Sequence, residues 1–323
     1  MRSATSPRPL FLCAGLLGLG ISSASLAQVA SSVTLPKSTA EEPPALRVHL
    51  VVSVDDILVD GVSVLSLEQI PLEDGGTELG VPDDEKRGQM ITRLYDRLLD
   101  KMEQEKFLYD AQETLAVLTQ RKDVVHQGEL LLSIDQDAPF RVVREVMYTA
   151  GQAQWGTFLL VTHNPWLDDT RTIEISLPAI GPPRPFDAEE VPPLNLSIAV
   201  TDRGLDVMGA DAVLEPDGAL DWGAEEPQPM VPCLSGEVCT GLDDYDWAEL
   251  SRLLGQVKDE YPDDLRVIVV PESDIPYEVI VRVLDYARWA PHLPMDAEQG
   301  AWEYWKSVRH ELFPQSILAG GAP

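Results

Sequence analysis

Carboxylates dominate the chemistry open to this chain. Among its 323 residues, 54 are Asp or Glu against 24 Lys or Arg, a formal net charge of −30. Paired acids recur at Asp55-Asp56, Asp83-Asp84, Asp168-Asp169 and Asp243-Asp244. Two carboxylates facing each other across a cleft can cleave a glycosidic bond, and clustered ones can hold calcium. At this acidic composition such pairs also arise by number alone, and no EF-hand spacing accompanies them. The histidines (His49, His126, His163, His292 and His310) are scattered, and on a helix His310 would point away from its neighbour Glu311. HExxH, GxSxG, a phosphate-cradling glycine loop and a dinucleotide fingerprint are all missing. The expectation is a chain with no catalytic residues, no metal and no cofactor. Two other classes stay open: a cell-wall-active hydrolase with carboxylates supplied by an insertion, and an acidic calcium-dependent envelope interaction module. A nucleic-acid binder is excluded, because no basic stripe exists to meet phosphate.

Four smaller constellations remain. Asp137 and Asp274 each stand two residues before a Pro-aromatic pair that opens an amphipathic helix, a place that suits helix capping better than catalysis. Trp302 and Trp305 lie three apart on a helix within the aromatic stretch 288–314, so they share a face that could stack on a sugar ring or pack onto the second domain. Cys233 and Cys239 flank a loop containing Gly and are expected to form a structural disulfide, CxxC redox spacing being absent. Arg2 and Arg8 precede an apolar run that ends in Ser25-Leu26-Ala27, the layout of a cleavable signal peptide over 1–27. Retention of this segment as a membrane anchor is the alternative, since residues 10–36 carry no charge.

The elements that position these residues occur twice. DAPFRVVREVMYTA at 137–150 superimposes on DIPYEVIVRVLDYA at 274–287, with apolar residues in the same helical phase. Strand-like runs, GELLLSI and LRVIVV, precede the two helices. Upstream, LRVHLVVSVDDILVDGVSVL at 46–65 aligns with LNLSIAVTDRGLDVMGADAV at 194–213, each read as a hairpin whose turn lies at Asp55-Asp56 or Arg203-Gly204. RLYDRLLDKM at 93–102 then parallels the helical ELSRLLGQV at 249–257. A Leu-Pro segment stands before each hairpin, with Leu35-Pro36 in VTLPK and Leu177-Pro178 in ISLPA. Proline cannot donate to a ladder, so both read as edge strands or strand ends and as candidate sites for an added peptide strand.

This ordered set, found twice, resembles the periplasmic domain of the ExbD/TolR family of biopolymer transport proteins. The residues that carry the resemblance are VTLPK with LRVHLVVSVDDILVDG, ISLPA with LNLSIAVTDRGLDVMG, and VIVVPESDIPYEVIVRVLDYA. It implies an α+β chain of two tandem domains, 31–165 and 172–323, each a small mixed β-sheet with two helices packed on one face. Insertions fall at 66–90, 103–127, 215–244 and 288–314. It implies a non-catalytic binding or scaffold component in the periplasm, with partners of the TonB/TolA or ExbB/TolQ type and with peptidoglycan. The family's transmembrane Asp has no counterpart, because residues 9–30 contain no Asp or Glu. Two family domains in one chain further imply a monomer containing an internal pseudo-dimer.

Overall fold

The structure, a computed structural model, describes residues 33–45, 47–71, 76–119, 128–177, 194–214, 228–234 and 236–319. The expected signal peptide or anchor and Pro178 lie outside them. The first copy runs β1 (Val48–Val52), β2 (Asp56–Val59), β3 (Val62–Ser66), β4 (Glu68–Pro71), β5 (Thr77–Gly80), β6 (Lys86–Arg87), β7 (Met90–Ile91), α1 (Thr92–Thr119), β8 (Glu129–Ile134), α2 (Phe140–Gln152) and β9 (Thr157–Asn164). A connecting strand, β10 (Asp169–Ser176), follows. The second copy then runs β11 (Ser197–Thr201), β12 (Gly204–Met208), α3 (Asp211–Leu214), β13 (Val231–Pro232), α4 (Trp247–Glu260), β14 (Arg266–Pro271), α5 (Tyr277–Arg288), β15 (Trp289–Ala290), α6 (Gln299–Val308), β16 (His310–Glu311) and β17 (Gln315–Leu318).

Helices and a mixed sheet are both present, but the strands do not form two small sheets. They form one eleven-stranded sheet ordered β13-β12-β11-β14-β17-β10-β9-β8-β1-β2-β3. β10 is its middle strand, with five strands on either side. The two halves correspond: a hairpin, β1 with β2 or β11 with β12, joins in parallel to β8 or β14, and that strand joins in parallel to β9 or β17. β9 is antiparallel to β10 while β17 is parallel to it. β9 and β17 therefore run in opposite senses, as a pseudo-twofold axis through β10 demands. The connection between the copies has become the strand that fuses their sheets. The edge role expected for the segment ending at Leu177 fails for this reason: β10 is the most interior strand, and Leu177 is half-buried beyond its end, packed against the core.

Strand pleating sends alternate residues to opposite faces. Leu50, Val52, Leu130, Leu132, Ile134, Ile198, Val200, Val267 and Val269 share one core with the buried faces of α1, α2, α4 and α5. Val51 turns the other way, onto Val33, Leu35 and Leu58. The helix phase read from the repeat is the buried one: Val142, Val143, Val146, Met147 and Ala150 in α2 match Val279, Ile280, Val283, Leu284 and Ala287 in α5. α1 extends well past the expected 93–102, its 28 residues running into the stretch read as an insertion, whereas its counterpart α4 has 14. The first hairpin also gains a third strand. Asp60 and Gly61 both adopt positive φ, 51° and 77°, the backbone of a two-residue turn that twists with its strands and favours Asp-Gly.

Candidate functional site

The two Asp-x-Pro-aromatic turns meet. Pro139 and Pro276 face each other in an antiparallel bridge, flanked by four backbone hydrogen bonds in two symmetric pairs. The Phe140 N–H donates to the Ile275 carbonyl and the Tyr277 N–H to the Ala138 carbonyl, both at 2.9 Å. The Arg141 N–H donates to Ser273 at 2.7 Å, and the Glu278 N–H to Gln136 at 3.0 Å. These are first-turn amides, which have no acceptor within their own helix. Each copy thus caps the other copy's helix with main-chain carbonyls. That corrects the capping role expected of Asp137 and Asp274: the N-cap residues are Pro139 and Pro276, neither bears a side-chain cap bond, and the donors an aspartate would satisfy are already taken.

The junction is charged asymmetrically. Arg141 on α2 binds Glu78 at 2.9 Å and the Leu79 carbonyl at 3.2 Å. A Cβ at Gly80 would lie 2.9 Å from the same guanidinium and 2.8 Å from Ile70, so a larger residue there would have to displace the arginine's end. One helical turn on, Glu145 is buried and pairs with Lys86 at 3.2 Å. Burial raises its pKa, and Lys86 pulls it back down. α5 carries the opposite sequence of charge, Glu278 and Arg282 in place of Arg141 and Glu145. Burial and the neighbouring Asp137 both raise the Glu278 pKa.

Residues 33–42 cross the tip of the β9–β10 hairpin as a strap. The His163 N–H donates to the Pro36 carbonyl and the Ser38 N–H to the His163 carbonyl, both at 3.0 Å, while the Thr172 N–H donates to Glu42 at 2.8 Å. Leu35 and Pro36 are therefore held against the sheet, Pro36 buried and Leu35 packed beside Val51. The strap's anchor has no local sequence pattern that announces it. Asp285 of α5, 2% exposed, accepts hydrogen bonds from Ser38 Oγ at 2.9 Å, the Thr39 N–H at 2.9 Å and Thr39 Oγ1 at 3.1 Å. Burial raises its pKa, against the lowering pull of Arg288 and these donors. A lone Asp inside the apolar run VIVRVLDYA was the available signal.

Cys233 and Cys239 are joined, with Cα atoms 5.4 Å apart. The loop clasps the β11–β12 turn through the Cys233 N–H to Arg203 and the Cys239 N–H to Asp202. Intact chain under non-reducing conditions should weigh less than reduced chain by one pair of hydrogens; free thiols in freshly exported protein would contradict the pairing. Trp302 and Trp305 are not available for sugar stacking. They are 0% and 3% exposed, stacked on each other with ring centroids 5.1 Å apart, and Trp302 stacks on Trp166 at 4.7 Å. A helix face rich in tryptophan is buried here because α6 folds back onto the β9–β10 tip.

A serine and a histidine do meet, unforeseen: His49 Nε2 lies 2.8 Å from Ser133 Oγ. Both are buried within the sheet, and burial lowers the His49 pKa to about 4. The nearby Asp60 carboxylate accepts from the His49 main-chain N–H and pairs with the Lys101 ammonium, so it does not orient the imidazole as the acid of a catalytic triad does. Single members of the acid pairs have local work. Asp56 receives Ser63 and Ser66, Asp169 pairs with Arg171, and Asp244 receives Thr240 and the Gly241 N–H. Among the described residues no three His, Cys, Asp or Glu side chains are grouped to hold a metal ion, and no helix is long and apolar enough to cross a membrane. No protein-family profile, curated protein or solved structure matches the chain.

Proposed function

We propose that the chain is a non-catalytic binding or scaffold component of the cell envelope, related to the ExbD/TolR periplasmic domains and carrying both members of a pair in one polypeptide. The observation that carries this reading is the reciprocal capping about Pro139 and Pro276. A symmetric contact of this kind is what a dimer interface looks like, and here a duplicated chain supplies both halves. The disulfide is consistent with an oxidising compartment such as the periplasm. Among the described residues His49 with Ser133, Asp285, and the acids Asp56, Asp169 and Asp244 are engaged in structural bonds, which favours recognition over turnover.

The partners proposed are TonB/TolA-type or ExbB/TolQ-type envelope proteins and peptidoglycan. Affinity capture from envelope extracts, scored for those proteins and for cell-wall polymer, tests the reading; recovery of none of them would overturn it. Because the internal pair consumes its own interface, light scattering should give a monomer at micromolar concentration. A stable dimer would contradict the internal pairing.

A further inference from the structure

The sheet has two edges, and they are finished differently. β13 is two residues long, ends in Pro232 and leads into the cystine loop, devices that blunt an edge against further pairing. β3 is five residues long and has neither proline nor cystine, and its ladder with β2 shifts register between Ile57 and Leu58, beside Val64. Residues 61–67, GVSVLSL, contain no charge and no proline, Val62 is 54% exposed, and among the described residues only β2 pairs with this strand. One end of β3 is framed by carboxylates. Asp56 receives the hydroxyls of Ser63 and Ser66 at 3.3 and 2.8 Å, Asp55 and Glu68 are exposed, and none of the three is in an ion pair among the described residues.

We propose that the outer edge of β3 receives an extended segment of another protein, with small apolar residues facing Val62 and Val64 and lysine or arginine side chains reaching Asp55, Asp56 and Glu68. The inference rests on the reading of the chain as a binding component and names its partner's chemistry. Main-chain bonds to the open edge would supply affinity, and alternate side chains would supply selection. Charge decides the occupant. A second copy of this chain would bring its own net charge of −30 to an edge already framed by acids, whereas a basic strand is drawn to it.

The test uses the full chain and a fluorescent ten-residue probe alternating lysine with valine or threonine, beside a probe with glutamate in place of lysine. The lysine probe should bind once per chain, weaken by about tenfold or more between low and physiological salt, and slow hydrogen exchange at residues 62–66. The variant V62K, at the exposed edge position, should bind it about tenfold or more less tightly. Equal binding of both probes, or unchanged binding by the variant, would overturn the proposal. Protection elsewhere with 62–66 unaffected would overturn this edge while leaving the envelope-scaffold reading standing, since that reading is decided by affinity capture.

Discussion

Changing Ser38 to Ala and Thr39 to Val together should lower stability by about 3 kcal/mol, because hydrogen bonds to a charged group contribute about 1.5–3 kcal/mol each and a buried carboxylate deprived of them finds no water. Asp285 is 2% exposed, and two of its three strap donors are these hydroxyls. The strap should then loosen from α5, seen as new protease cleavage within 33–42 and a lower urea midpoint. Glu41→Gln is the contrast. Glu41 is 37% exposed in its pair with Arg309, so loss of that pair should cost under about 1 kcal/mol. Equal effects from the two changes would show that the carboxylate does not hold the strap.

Acidification should destabilise the chain, and His49 should account for part of the loss, beside His292, which burial and the Arg282 charge hold at about 3. The His49 imidazole, 7% exposed and paired with Ser133, is held at about 4 against an ordinary 6.5, with burial as the main cause and Asp60 opposing it. Between those values the unfolded chain binds a proton that the folded chain does not. The contribution is complete above about pH 6.5 and is lost as pH falls towards 4, amounting to about 3 kcal/mol. Buried carboxylates act in the other sense. The raised values at Glu145 and Asp285 mean stability present below the ordinary carboxylate range and lost as pH rises through the folded value. His49→Gln, which cannot titrate and can still hydrogen-bond to Ser133, should flatten the slope between pH 4 and 6.5 relative to the parent. An unchanged slope would remove His49 from the account.

What was legible in the sequence was whatever repeats at fixed spacing. The helix phase of Val142 to Ala150 and Val279 to Ala287, the two hairpins and the cysteine pair all follow from local periodicity and reach. What was not legible depends on where one copy sits against the other. β10 resembles a terminal strand because Leu177-Pro178 ends it, yet its neighbours are β9 from its own hairpin and β17 from the far end of the chain. Asp137 and Asp274 hold a capping position by local pattern, but carbonyls from the opposite copy arrive first. Trp302 and Trp305 share a face as spacing dictates; only the fold-back of α6 decides that this face is covered. Asp285 finds its partners 247 and 246 residues away.

The central claim, that two copies of one module complete each other about Pro139 and Pro276, is tested most directly by amide hydrogen exchange at Phe140, Arg141, Tyr277 and Glu278. In a helix standing alone these first-turn amides have no acceptor and exchange almost as in an unfolded chain. Here each donates to the other copy at 2.7–3.0 Å, so all four should be slowed by about a thousandfold or more and should open together with the core strands. Fast exchange at the four amides, while the amides deeper in α2 and α5 stay protected, would mean that the copies do not cap each other and would contradict the account.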